Sequence, residues 1–434
     1  MFSLPVAWNK VQRRWAFYDW ANSVYSLVIS TAIFPIYFNS VSPAQVDFLG
    51  AQMPSSALYS YVLAFSFFLV ALLSPLLSGI ADYTGNKKGF LQFFCYLGAT
   101  SCGLLFFFVG DNLIYGLGMS VLASIGFWGS IVFYNAFLPE IAPPEKQDQL
   151  SALGFSLGYV GSALLLILNL VMVSNPQWFG LADKALASRL SFVSVGLWWA
   201  GFGTLSFGRL PRNVFQRQPE EGRIIWQGYR ELRQVFGQLK ELIDLRRLLY
   251  SFFFYSTGVQ TIILLASMYG EKELGLDASK LILTILIIQF VGIAGAHFFS
   301  WLAGRLGNIR ALMVSIAVWT FICFAAYALQ GDDPQVEVKF YALGGLVGLV
   351  MGGIQSLSRS TYSKMLPPSR SHASFFSFFD VTEKVAIILG TFVFGYLVDI
   401  TGNMRASALA LSVFFLLGLL LIFRVKGSRR AARA

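Results

Sequence analysis

Histidine and cysteine are scarce in this chain, with two of the first and three of the second in 434 residues. Cys95, Cys102 and Cys323 lie inside apolar runs with no ligand-like spacing, and His297 and His372 stand far apart, so no Cys/His metal centre and no cofactor are expected. The phosphate-cradling pattern GxxxxGK[ST] is missing too, which argues against ATP as the direct energy source. Charge is the third shortage. Only 12% of residues are charged and 56% are hydrophobic, with 42 Phe, whereas a soluble domain averages about 25% charged. So many phenylalanines exceed what a soluble core of this size would bury, and the composition is that of a polytopic membrane protein. The net charge of +10 does not point to nucleic acid, because the basic residues sit in short loops rather than on a solvated domain.

What is present is a series of long apolar runs, at about 17–38, 58–80, 89–109, 113–137, 150–174, 189–209, 248–269, 279–303, 310–330, 338–361, 374–398 and 405–424. Each is long enough for a helix to cross a bilayer, which takes ~20 residues. The expected fold is an all-α membrane protein with twelve transmembrane helices. Lys184, Arg189, Lys272, Lys280, Lys339 and Arg405 fall on one side and Lys384 inside a span, while every other lysine and arginine falls on the opposite side. The positive-inside rule then places both termini in the cytoplasm, with a bacterial inner membrane the expected location. No cleavable signal peptide is expected, because the first apolar run is longer than a signal's core.

The stretch 210–247 divides the chain into six spans and six. The expected organisation is an N-terminal bundle (1–209), a cytoplasmic linker (210–247) and a C-terminal bundle with a basic tail (248–434). After the polar run RQPEEG, the residues Ile225, Tyr229, Leu232, Phe236, Leu239 and Ile243 recur every three or four positions with basic residues between them. This pattern predicts an amphipathic helix suited to an anionic membrane face.

The halves are related. Loop ADYTGNKK from Ala81 and loop AGRLGNIR from Ala303 match at Ala81/Ala303, Gly85/Gly307, Asn86/Asn308 and Lys88/Arg310, and YNAFLP (134–139) matches YSKMLP (362–367) at nearly the same offset. Two matches in equivalent positions indicate a duplicated six-span unit. Asp82, Gly85, Lys88, Arg305, Gly307 and Arg310 are the expected gate-loop residues, with Gly304 standing where the first loop has Asp82. Two such halves resemble the major facilitator superfamily, in which a cavity near the midplane is exposed to each side in turn. More closely, YDWANS (18–23), YNAFLPE, SLGYVG (156–161) and YSTGVQTI (255–262) resemble the vacuolar-effluxer-like family of that superfamily over nearly the whole chain. The resemblance implies export of small solutes, amino acids being the best-known class. Span 7 of that family often carries an acidic residue where this chain has Ser256 or Thr257.

Charged residues inside spans are costly and usually functional. Asp19 and Asn22, one turn apart, share a helix face with Tyr25 close by; they fit either a pathway carboxylate or a lock at the cytoplasmic end. Asp380, Glu383 and Lys384 share a face of span 11. The spacing predicts an Asp380–Lys384 pair that leaves Glu383 to titrate, and a static ion-pair network is the alternative. Asn135, Gln260, Gln289 and Gln355 could bind solute or join helices. Gly154, Gly158 and the Gly344–Gly348–Gly352 series are expected to permit close helix packing, and His297 to be packed between helices. The expected activity is proton-linked efflux of a small polar solute by a monomer in the lipid bilayer. The alternatives are a lipid flippase of the same fold, favoured by the Phe-rich spans, or a membrane enzyme acting on lipid-linked substrates. The loop acids an enzyme would need, Asp332 and Asp333, sit beside Pro334 and read as a turn.

Overall fold

The computed structural model describes residues 8–48, 50–212 and 224–426. The run RQPEEG and nearly all of the basic tail fall outside the described residues. Among the described residues, twelve helices are long and apolar enough to cross a membrane, as the apolar runs require. In chain order, spans 1 to 6 are Lys10–Val41, Ser55–Thr84, Lys87–Phe107, Leu113–Ile141, Pro144–Ser174 and Lys184–Phe207. Spans 7 to 12 are Ile243–Lys272, Ser279–Leu306, Asn308–Ala328, Val336–Met365, His372–Thr401 and Met404–Ile422. A linker helix, Ile224–Glu241, precedes span 7. Two short antiparallel strands between spans 1 and 2, β1 (Gln45–Phe48) and β2 (Ala51–Pro54), pair Gln45 with Pro54 and Phe48 with Ala51.

Span 1 is not uniformly α-helical. Residues Tyr25–Ile33 wind as a π-helix between α-helical stretches. The Thr31 hydroxyl donates to the Ser26 carbonyl five residues back, at 2.8 Å, which matches the wider turn. Pro35, in the first turn of the α-helix that follows, brings no N–H to the ladder. π-segments of this kind occur mostly at functional positions. Span 2, by contrast, continues through Pro75 as one helix.

The chain gathers into two compact units. Unit 1 holds Met1–Ser66 and Thr84–Glu220, and unit 2 holds Phe67–Tyr83 and Glu221–Ala434. The second half of span 2 therefore packs with the C-terminal helices. In unit 2, spans 8 and 10 cross on glycine. A Cβ at Gly344 would meet the Thr284 side chain at 2.6 Å, at Gly348 the Ile288 carbonyl oxygen at 2.6 Å, and at Gly352 the Gly292 carbonyl oxygen at 2.1 Å. The series is a packing surface, as its spacing predicts. The related loops turn alike, with Gly85 at φ 70° and Gly307 at φ 85°, a region that L side chains rarely adopt. His297 departs from expectation. It is exposed on the same helix face as Phe290, which is 51% exposed, because seven residues return a helix to nearly the same direction.

Candidate functional site

Span 11 enters unit 2 through aromatic packing. Phe375 and Phe376 are buried, and the Phe379 ring stacks on Phe252 at 4.0 Å. One residue further, the charges begin. Lys384 Nζ lies 2.9 Å from Asp380 Oδ1 and 3.2 Å from Glu383 Oε2. The expected i, i+4 pair is present. The lysine also reaches Glu383, so both acids share its ammonium. Span 7 supplies a further partner: Gln260 Nε2 donates to Glu383 Oε1 at 2.8 Å. It comes within reach because spans 7 and 11 touch closely, a Cβ at Gly390 meeting Thr261 Oγ1 at 2.0 Å. From span 2 the Ser74 hydroxyl reaches Asp380 Oδ2 at 3.5 Å, a long contact. The Lys384 side chain has no exposed surface and Asp380 has 4%, whereas Glu383 keeps 17%.

Charges at this depth are tolerated when they pair, and here one ammonium faces two carboxylates. With both acids ionised, the three groups would hold one negative charge more than positive, which a proton or an organic cation would neutralise.

The start of span 11 has its own ligand. Buried Asp82 accepts from the backbone N–H of Ala373 at 3.2 Å and of Ser374 at 2.7 Å. It thus satisfies N–H groups that a helix start leaves without helical partners, at the positive end of the helix dipole.

Unit 1 holds the second site. Asp19 is buried, and its Oδ2 accepts from the Tyr134 hydroxyl at 2.8 Å. Trp15 stacks on the Tyr134 ring at 4.4 Å and donates its indole N–H to the Tyr134 carbonyl at 2.8 Å. Asn22 is 1% exposed, and its Nδ2 lacks a hydrogen-bond partner among the described residues. Tyr25 packs its ring against Phe127 and Trp199. Span 5 closes over this face because it has no side chains in the way: a Cβ at Gly158 would meet Ser23 Oγ at 2.4 Å, and one at Gly161 the Trp20 carbonyl at 2.8 Å. The segments YDWANS, YNAFLP and SLGYVG, distant in sequence, thus form one cluster.

The gate loops divide. Lys88 Nζ donates to the Leu210 carbonyl at 3.1 Å, and its neighbour Lys87 forms a buried ion pair with Glu140. Sequence reasoning missed that pair, although the acid ending YNAFLPE pointed to it. Asn308 holds Lys364 and Thr361 by hydrogen bonds of 3.1 Å. Arg305 lies over the Trp301 ring at 4.4 Å, and Arg310 is exposed. Among the polar span residues, Asn135 and Gln289 are buried and Gln355 is half-buried. They lie on spans 4, 8 and 10.

Twelve spanning helices, internal duplication and charges inside the spans define a transporter of the major facilitator type. Residues 8–434 match a family model described as "Vacuole effluxer Atg22 like", and the chain belongs to that family. It is similar to the uncharacterized MFS-type transporter YxiO of Bacillus subtilis, at 33% identity over 95% of this chain and 94% of that one. Autophagy-related protein 22-1 of Penicillium rubens is 24% identical over 92% of this chain and 81% of that one. Among solved structures, the proton:xylose symporter XylE has a TM-score of 0.69 at 14% identity, covering 96% of this chain and 95% of that one. A bacterial homologue of ferroportin has a TM-score of 0.66 at 14% identity, covering 96% and 99%. These two likenesses establish the shared fold. The relatives are named as transporters rather than enzymes, and the protein is an integral membrane transporter acting on small molecules.

Proposed function

We propose that this transporter exports an amino acid or a similar small polar solute by alternating access, and that the Asp380–Glu383–Lys384 triad carries a proton during the cycle. The observation that carries the reading is the charge imbalance: two carboxylates share one ammonium in a setting where net charge is expensive. Glu383 is the most exposed of the three, so in this reading it is the group that takes up and releases the proton. Gln260 holds it in place meanwhile. Protonated, the triad is neutral; deprotonated, it attracts a cation, and the ammonium of an amino acid satisfies the same deficit. In this reading residues 1–209 and 248–434 act as the rocking halves in a bacterial inner membrane, with cytoplasmic termini and one copy per working unit. The vacuole-effluxer description of the family supports movement of a solute across a membrane.

Uptake of amino acids into proteoliposomes, with and without an imposed pH gradient, tests this. The reading requires accumulation that follows the gradient. Uptake of an amino acid at one rate whatever the gradient would remove proton linkage, and uptake of no amino acid at all would remove the substrate class.

A further inference from the structure

The linker helix Ile224–Glu241 ends one residue before span 7 begins at Ile243, so its last turn lies where span 7 emerges from the bilayer. At about 100° per residue, its side chains sort into adjoining sectors. Gly228, Val235 and Leu239 are buried and face unit 2. A Cβ at Gly79 of span 2 would meet the Gly228 carbonyl oxygen at 2.2 Å, and Phe236 rests beside Phe378 of span 11 at 5.9 Å. Glu231 accepts from the Ser371 hydroxyl at the start of span 11.

Beside the buried sector lies an apolar one that protein covers only in part, Phe378 and the Lys240 ammonium lying against Phe236. Ile225 is 62% exposed, Tyr229 48%, Phe236 47% and, at the start of span 7, Ile243 52%. Next round the helix come Lys240, Arg233 and Arg230, all exposed, with Trp226 between them at 61%. Exposed apolar residues flanked on one side by cations match the acyl boundary and the headgroups of an anionic leaflet.

We propose that the linker helix is a binding site for anionic phospholipid headgroups. Ile225, Tyr229, Phe236 and Ile243 enter the acyl boundary, and Arg230, Arg233 and Lys240 hold the phosphates. Bound lipid then fixes the helix on the second half of span 2 and on the start of span 11, the two elements that Asp82 joins.

The test uses the full-length Ile225→Cys protein, labelled with an environment-sensitive nitrobenzoxadiazole and placed in nanodiscs of phosphatidylcholine alone or mixed with phosphatidylglycerol. Cys95, Cys102 and Cys323 are all buried, which directs the label to the surface. The label should move from a water-like to a membrane-like emission as phosphatidylglycerol is added, and should return as salt is raised, because exposed charges are screened beyond about 10 Å at 0.1 M. A label at Gln234→Cys, on the opposite side of the helix, should stay water-like. Each basic residue near an anionic surface strengthens attachment about five-fold. The triple variant Arg230→Gln, Arg233→Gln, Lys240→Gln should therefore need on the order of a hundred-fold more anionic lipid for the same emission. Should that variant fail to fold, the phosphatidylglycerol and salt titrations of the parent protein decide. A label at 225 that sees water in both discs, or gives one emission whatever the phosphatidylglycerol content, would overturn the proposal.

Discussion

Asp19 in unit 1 and the span-11 acids in unit 2 are held in different ways. In unit 1 the Asp19 carboxylate accepts a phenol hydrogen bond from Tyr134, whose ring and carbonyl are themselves fixed by Trp15. In unit 2 Asp380 and Glu383 share the ammonium of Lys384. A hydroxyl fixes position without changing charge, whereas an ammonium between two acids leaves a remainder that must be met from outside. The aromatic arrangement suits a fixed joint and the ionic one suits a group that exchanges its partner.

The largest way to break the comparison is to remove the cation. Lys384→Met leaves two buried carboxylates facing each other, and losing one partner of a buried pair costs about 3–5 kcal/mol. Thermal unfolding in detergent should show that loss, and adding Asp380→Asn should recover part of it, since one negative charge then remains instead of two. Asp19→Asn keeps the size and shape of its side chain and should cost less than Lys384→Met.

A smaller effect sharpens it. Tyr134 and Tyr362 occupy matched places in the two halves, yet the Tyr134 hydroxyl donates to a carboxylate and the Tyr362 hydroxyl to the Phe375 carbonyl at 2.6 Å. Hydrogen bonds to charged groups contribute about 1.5–3 kcal/mol and neutral ones about 0.5–1.5. Tyr134→Phe should therefore lower the unfolding temperature more than Tyr362→Phe. Equal effects would mean that Asp19 is held mainly by other contacts.

The smallest effect comes from the same ions in water. Asp333, in the loop before span 10, pairs with Lys339 in the first turn of that span, both partly exposed to solvent. That hydrogen bond, and then one from the Gln335 backbone, lowers the carboxyl pKa. A lowered folded-state pKa gives stability above the unfolded value, about 3.9, which is lost as pH falls through the folded one. Lys339→Ala should weaken this acid-range dependence and lower the unfolding temperature slightly at pH 7, the two proteins converging as the carboxyl protonates.

Much of this was legible in the sequence for simple reasons. A bilayer demands ~20 apolar residues per span, so the twelve runs located the twelve helices. The glycines of the two loops and of span 10 declared their turn and packing roles by spacing. The charged face of span 11 followed from positions 380, 383 and 384. Which acids the lysine would touch was less legible: the i, i+4 spacing pointed to Asp380, and the flexible stem also reaches the adjacent Glu383. Ser74 and Gln260 joined the triad through contacts between helices far apart in sequence, to which periodicity is blind. The grouping of residues 67–83 with the C-terminal helices was hidden for the same reason, as was the π-segment, because Tyr25–Ile33 has the apolar character of any spanning stretch. His297 was misjudged by treating a polar side chain as one that must be packed away.

The central claim is that the span-11 triad, and Glu383 within it, links solute movement to a proton. Proteoliposomes containing a pH-sensitive dye test it most directly, with amino acid added to the wild type, Glu383→Gln and Asp19→Asn. The account predicts solute-induced proton movement in the wild type, none in Glu383→Gln, and movement that persists in Asp19→Asn. Undiminished proton movement in Glu383→Gln would contradict it.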